Sequence, residues 1–137
     1  MRKTVVELEV YFSDCDPTGF AHSSKHFQWF EQGRITLLKE ANIDSSFVSD
    51  YHFMTIDSYC KYKSSVRFGD KLIIEATINE KDISRILEFN YKITKKLGKK
   101  LVATGNTRHV LTTINGQLLQ RIPVSIREKL NLYIEGE

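Results

Sequence analysis

Asp14 and Asp16 stand one residue apart in the run Tyr11-Phe12-Ser13-Asp14-Cys15-Asp16-Pro17-Thr18-Gly19-Phe20-Ala21-His22-Ser23-Ser24. A strand-like stretch precedes this run and a helix-like stretch follows it. The two carboxylates therefore fall at a strand end, ahead of a tight turn and a helix start. Unpaired N–H groups at a helix N-terminus make a partially positive site for an oxygen that gains negative charge. A carboxylate held opposite that site can attack a carbonyl or activate water, which suits acyl transfer or ester hydrolysis. On residue type alone, Asp14 and Asp16 read more readily as turn and cap residues, a common use of Asp.

Other chemically capable residues read as structural. His22 and His26 are four apart, as two metal ligands on a helix would be. However, His22 precedes the expected helix and no third ligand is spaced nearby, so no metal is expected. Cys15 lies between two carboxylates, whose charge disfavours a thiolate nucleophile. His109 shares a strand face with Ala103 and Leu111, which suits a packed core or interface histidine. Glu31 and Arg34 are spaced i,i+3 and read as an ion pair, with Arg34 inside an apolar stripe. Trp29 lies off that stripe; it reads as packing, with a subunit interface or acyl pocket as the other use.

The elements that must position these residues follow from periodicity. Residues 5–12 alternate, with Val6, Leu8, Val10 and Phe12 on one face, as in a half-buried strand. From Ser24 to Ala41 the period becomes helical, and Phe27, Phe30, Leu37, Leu38 and Ala41 form one stripe. Ser23 or Ser24 is the expected N-cap and Asn42 the expected end. Gly33, at the stripe's edge, would admit a neighbouring backbone. A loop of mixed polarity follows. Four strand patterns then cover 55–68, 71–81, 84–96 and 100–114, the first closed by Gly69-Asp70 and the last by Asn115-Gly116. Leu118-Leu119 reads as a short returning strand. Pro123 opens a terminal helix over Val124 to Leu132.

This order predicts an α+β fold: an antiparallel sheet of about five to six strands wrapped around one long central helix, in a single domain spanning 1–137. Such a sheet leaves edges needing cover, which a homo-oligomer extending it across a two-fold axis would supply. The chain is 41% hydrophobic and 27% charged, enough for a packed core and unlike a disordered composition. No apolar run approaches the roughly 18–20 residues of a membrane span, and Met1-Arg2-Lys3-Thr4 lacks a signal peptide's apolar stretch. Two cysteines, Cys15 and Cys60, without CxxC or metal-ligand spacing, suit a reducing cytoplasm. A net charge of +3 with dispersed basic residues does not suggest nucleic-acid binding. Lys95-Lys96 and Lys99-Lys100 read as a solvated hairpin tip rather than a phosphate-binding patch.

The Asp-x-Asp-x-x-Gly run at Asp14–Gly19 and the helix motif Phe30-Glu31-Gln32-Gly33-Arg34 resemble the hotdog-fold acyl-CoA thioesterases of the 4-hydroxybenzoyl-CoA thioesterase family, including its Tol-Pal-associated branch. Val66-Arg67-Phe68-Gly69-Asp70 and Arg121-Ile122-Pro123 extend the resemblance over nearly the whole chain. It implies a hotdog fold and thioester hydrolysis, with Asp16 as nucleophile or general base and the Ser23 backbone N–H polarising the thioester carbonyl. Gly19 would bring the loop close to the substrate beside Phe20; with no acid–base side chain at position 23, the chemistry is expected to rest on Asp16 alone or on Asp16 assisted by His22. The chain departs from the family pattern in having Ser23 where a His or Tyr is usual and Lys25 where an Asn is usual. An acid–base role for the side chain at position 23 is thereby removed, while its backbone donor is retained.

The resemblance further implies an acyl-CoA or acyl-carrier-protein substrate and no separate cofactor, coenzyme A being part of the substrate. It also implies a homodimer or homotetramer with interfacial sites, and surface Lys or Arg meeting the CoA phosphates. A non-catalytic acyl-CoA-binding module is the first rival. A hotdog hydratase or dehydratase is the second, but this sequence shows no His paired with a carboxylate in that fold's hydratase pattern.

Overall fold

Alternating side chains build the sheet in the computed structural model, which describes residues 2–43, 50–81 and 83–136. Strand β1 spans Thr4–Glu9, β2 Tyr51–Tyr62, β3 Lys71–Ile78, β4 Leu87–Lys95 and β5 Leu101–Thr113. Helix α1 spans Lys25–Glu40 and helix α2 spans Val124–Glu135. The expected inward sets are buried: Leu72, Ile74, Ala76 and Ile78 on β3, and Leu87, Phe89, Tyr91 and Ile93 on β4. All strand pairs are antiparallel, in the order β1-β3-β4-β5-β2. Only β3, β4 and β5 form a simple meander. The second strand crosses to the far edge and pairs with β5, so it begins and ends earlier than the expected 55–68. The part of the expected mixed-polarity loop at residues 44–49 lies outside the described residues.

Helix α1 lies against the concave face and buries His26, Trp29, Phe30, Gly33, Arg34, Leu37 and Leu38. Gly33 permits a close approach, but of side chains rather than backbone. A Cβ there would stand 3.1 Å from Ile74 Cγ2 and 3.3 Å from Ala76 Cβ. Asn42 ends the helix as expected, with φ +61, and the Asn42 and Ile43 N–H groups donate to the Lys39 and Leu38 carbonyls at 2.9 Å. That is a Schellman closure with Asn in the left-handed position. Pro123 caps α2 from just outside rather than within its first turn, and the helix runs past Leu132 to Glu135. The turn glycine Gly116 takes φ +89, and Leu118 returns only as an isolated bridge to Thr112.

The first strand stops at Glu9, short of the expected Phe12. Residues Phe12–Asp14 instead form one 3₁₀ turn, and Phe12 is 76% exposed. Backbone pairing ends at Val10, whose N–H donates to the Asp70 carbonyl and whose carbonyl accepts the Gly69 N–H, both at 2.9 Å, while the alternation continues in sequence to Phe12. This early turn displaces the Asp14–Ser24 segment from the sheet and lays it over the start of α1.

Candidate functional site

The segment after β1 folds back on itself. Backbone hydrogen bonds join Asp16 N–H to the Phe20 carbonyl at 2.9 Å and His22 N–H to the Asp14 carbonyl at 2.8 Å. Cys15 bridges Ala21 within this loop, and Phe20 bridges Arg67. Gly19 sits at the reversal with φ +88, and nothing lies within 4 Å of the place a Cβ would occupy. Its requirement is the left-handed backbone rather than space. The ring of Phe20 lies under the Arg67 guanidinium, 4.4 Å from its centroid.

The two carboxylates have different partners. Asp14 accepts the Tyr11 N–H at 2.9 Å through Oδ2, and its Oδ1 lies 3.9 Å from Lys25 Nζ. It closes the 3₁₀ turn and tethers the helix start, which is the structural use expected on residue type. Asp16 accepts both the Thr18 hydroxyl and the Thr18 N–H (2.9 Å) on Oδ1. No partner within the described residues occupies Oδ2. Hydrogen bonding from Thr18, with a smaller contribution from nearby His22, holds the Asp16 carboxyl below the usual carboxylate range. Asp16 is therefore ionised at neutral pH, with one oxygen anchored and the other available.

The helix start supplies the opposite polarity. Ser24 precedes α1 but makes no side-chain cap. Instead, His22 Nδ1 accepts the Ser24 N–H at 3.2 Å and meets the Ser24 hydroxyl at 2.8 Å. A neutral His22 ring accordingly carries its proton on Nε2. The Ser23 carbonyl accepts the Tyr62 hydroxyl at 2.7 Å and His26 Nδ1–H at 3.2 Å. The rings of His26 and Tyr62 meet edge to face at 4.7 Å, and His26 packs on the buried Trp29 at 4.9 Å. Burial pushes the His26 pKa down and keeps the ring neutral. These two side chains fix the peptide plane that follows Ser23, while the Ser23 N–H has no partner among the described residues. Beside it runs a groove of about 350 Å³, lined by Ala21, Ser23, His26, Tyr62, Lys63 and Ser65 among others.

Residues 10–130 match the thioesterase-like superfamily. The chain belongs to that superfamily. A relative in Aquifex aeolicus (strain VF5), provisionally described as an esterase, is 29% identical over 129 residues, covering 92% of this chain and 96% of its own. The DHNA-CoA thioesterase of Staphylococcus aureus is similar in structure with a TM-score of 0.85 at 18% identity, covering 100% of this chain and 97% of its own. The 1,4-dihydroxy-2-naphthoyl-CoA thioesterase of Synechocystis gives 0.82 at 18% identity, with coverages of 97% and 96%. The fold of this thioesterase-like chain is the hotdog fold.

Within this superfamily member, Asp16, Gly19, Phe20, His22 and Ser23 all fall on one loop-and-helix-start unit. Tyr62, which residue spacing does not single out, joins that unit from the far edge of the sheet. No local signal marks it, because its role depends on β2 crossing over. Residue spacing presents His26 only as a metal-ligand candidate, but its Nδ1–H holds the Ser23 carbonyl. Among the described residues no group of three or more His, Cys, Asp and Glu is placed to hold a metal.

His109 is fully buried, with Nδ1 3.1 Å from the Thr55 hydroxyl and Nε2 2.7 Å from that of Thr107. Thr107 continues to Tyr91 at 2.6 Å, and Arg34 donates to the Tyr91 hydroxyl at 3.2 Å while lying 3.6 Å from Glu31. The Glu31–Arg34 pair is thus the outer end of a satisfied polar chain through the core. At the β4–β5 hairpin, Lys96 pairs with Glu7 at 2.6 Å and Lys95 lies 3.5 Å from Asp70. Carboxylates therefore already answer two of its four lysines.

Proposed function

We propose that this protein hydrolyses an acyl-CoA thioester, with Asp16 as nucleophile or general base and the Ser23 N–H as donor to the carbonyl oxygen. The observation that supports this reading is that an ionised Asp16 carboxylate and the Ser23 N–H, with Oδ2 and that N–H both unpartnered among the described residues, lie on one folded-back loop. A thioester suits that equipment. Either water, deprotonated by Asp16, or the Asp16 carboxylate itself bonds to the acyl carbon. The C–S bond breaks, and the thiolate leaves with the electron pair and takes up a water-derived proton. In the second case water then cleaves the acyl–Asp16 anhydride to the free acid and the regenerated carboxylate. A thiolate needs less acid assistance than an amine, so a site without a strong general acid suffices. His22, whose Nδ1 is held at the helix start, presents Nε2–H as the assisting donor. Gly19 and Phe20 border the acyl group. Coenzyme A enters as part of the substrate, and no separate cofactor takes part.

The proposed working unit is a homodimer or homotetramer in a reducing cytoplasm, consistent with the two free thiols at Cys15 and Cys60. Among the described residues no helix is long and apolar enough to cross a membrane. The decisive experiment measures thiol release from aliphatic and aromatic acyl-CoAs by wild type and Asp16→Ala. Turnover by wild type with a loss of roughly 100-fold or more in the variant is expected. Binding without thiol release in wild type would replace this reading with the acyl-CoA-binding module. Turnover that survives in Asp16→Ala would move the chemistry away from Asp16.

A further inference from the structure

Ser23 lies between two peptide planes, and each is fixed by different bonds. The plane that carries the Ser23 N–H also carries the His22 carbonyl, which accepts the Lys25 N–H at 3.0 Å. The next plane carries the Ser23 carbonyl and the Ser24 N–H, and the latter is donated to His22 Nδ1 at 3.2 Å. In a regular α turn the Phe27 N–H would meet the Ser23 carbonyl. It goes instead to the Ser24 carbonyl at 3.3 Å, so the helix leaves the Ser23 oxygen to side chains.

Two side chains take it. The Tyr62 hydroxyl donates at 2.7 Å and His26 Nδ1–H at 3.2 Å, which together use both lone pairs of that oxygen. Each donor is itself held. The His26 ring meets Tyr62 edge to face and packs on Trp29, and both His26 and Trp29 are buried. Tyr62 is the last residue of β2 and pairs with Ala103. Directly after it, the Lys63 and Ser64 N–H groups both donate to the Val102 carbonyl, at 2.8 and 3.1 Å. Peptide planes are rigid, so the two at Ser23 can only turn about its φ and ψ. Clamping the second plane from the sheet therefore limits how far the first, with its N–H, can swing.

We propose that Tyr62 and His26 are positioning residues for the Ser23 donor, holding its N–H toward the groove through the Ser23 carbonyl. This assignment rests on the acyl-CoA thioesterase reading. It adds that one support of the donor comes from the end of β2 and not from the loop that carries Asp16. A donor acts on charge that develops in the transition state and must be in place beforehand. Loosening it should lower kcat and leave KM nearly unchanged.

The test uses Tyr62→Phe, which keeps the ring and removes the hydroxyl, together with His26→Leu and His26→Asn, the last retaining a side-chain N–H. Thermal melting verifies that each variant folds. Tyr62→Phe and His26→Leu should each lower kcat roughly tenfold, less than the 10²–10³ lost with an oxyanion donor itself, while KM stays within about twofold. His26→Asn should recover most of the His26→Leu loss. An unchanged kcat, or a rise in KM alone, overturns the proposal. So does a loss in Tyr62→Phe that disappears at higher protein concentration, which would make the hydroxyl an association contact. His26→Asn no faster than His26→Leu would reduce the His26 ring to packing.

Amide hydrogen exchange gives a readout independent of turnover. In Tyr62→Phe the Ser24 and Lys25 amides should exchange roughly tenfold faster than in wild type, with those of β3 and β4 unchanged. If wild type cleaves no thioester, the hydrolase reading fails and exchange decides alone whether these side chains hold the Ser23 segment. Selective acceleration upholds that role, and unchanged exchange overturns it.

Discussion

Asp16 is held in place by the residue two positions on. Thr18 donates both its hydroxyl and its N–H to Oδ1, so the carboxylate is anchored by its own turn and remains open at Oδ2. Bonds to the charged form lower a carboxyl pKa, and here Thr18 is the main cause. A base or nucleophile is active only when deprotonated, so activity should fall as pH drops through the Asp16 pKa, below the usual carboxylate range. Thr18→Val keeps the N–H and removes the hydroxyl. The acid limb of kcat/KM should then move to higher pH, with activity near pH 7 largely kept. Profiles of both proteins between pH 3 and 8 test this, and an unmoved acid limb would remove Thr18 from Asp16 chemistry. Asp14 and Asp16 are the same residue type in the same turn, so composition could not separate them. Their partners do: Asp14 is engaged by the Tyr11 N–H and lies near Lys25, whereas Asp16 Oδ2 has no partner among the described residues.

Between elements, the helix–sheet seam depends on contacts that no local pattern announces. Periodicity made the inward faces of β3 and β4 legible, because a burial period of two is written directly into the residues. Long-range pairing was not. The crossover of β2 follows from which edge remains open, so it brought Tyr62 to the helix start without a signal in the chain. Gly105 is a similar case. Its place in β5 reads as an ordinary strand residue, yet a Cβ there would fall 2.3 Å from the Phe30 ring. That ring stacks on Tyr91 at 4.5 Å and cannot simply swing away. Gly105→Ala should destabilise the fold by about 1–3 kcal/mol through overpacking, measured by urea unfolding. A neutral or stabilising result would mean the seam yields more readily than its geometry indicates.

The same seam carries a pH-sensitive component. Burial, and secondarily the Arg34 charge, push His109 down to about 3, with Asp57 acting in the opposite direction. Phe53 and Phe89 pack against the ring, and Thr55 and Thr107 hold its nitrogens. An unfolded chain protonates this histidine near pH 6.5, whereas the native chain does not until far lower pH. The unfolded state therefore binds more protons in that window, and stability falls as pH drops. From pH 6.5 to 5, where surface carboxylates stay ionised, this one group should account for a loss of about 1–2 kcal/mol. His26 acts in the same direction. Urea unfolding of His109→Gln should show a shallower pH slope over that window, whatever its absolute stability. An unchanged slope would locate the titration elsewhere.

For the molecule as a whole, the open edge of the sheet is the feature still to be accounted for. Strand β2 lies at the end of the order β1-β3-β4-β5-β2, so among the described residues one side of it has no strand partner. It is long, and Met54, Ile56, Tyr59 and Tyr62 are each between 46% and 59% exposed. A long exposed apolar edge favours pairing with another chain unless charge or distortion blunts it. A register shift between Thr55 and Asp57 distorts this strand locally, but the exposed apolar side chains lie on both sides of that point. Antiparallel pairing of two copies through β2 would join their sheets across a two-fold axis and cover both edges at once. Tyr62 lies on this strand and holds the Ser23 carbonyl, so the same association would stiffen the helix start. Light scattering coupled to gel filtration should give at least twice the chain mass at micromolar concentration. Ile56→Lys places a charge on the edge and should shift the protein toward monomer. Activity per chain should fall with that dissociation and recover at higher protein concentration. A wild-type monomer with full turnover would assign the whole site, including the orientation of Ser23, to one chain.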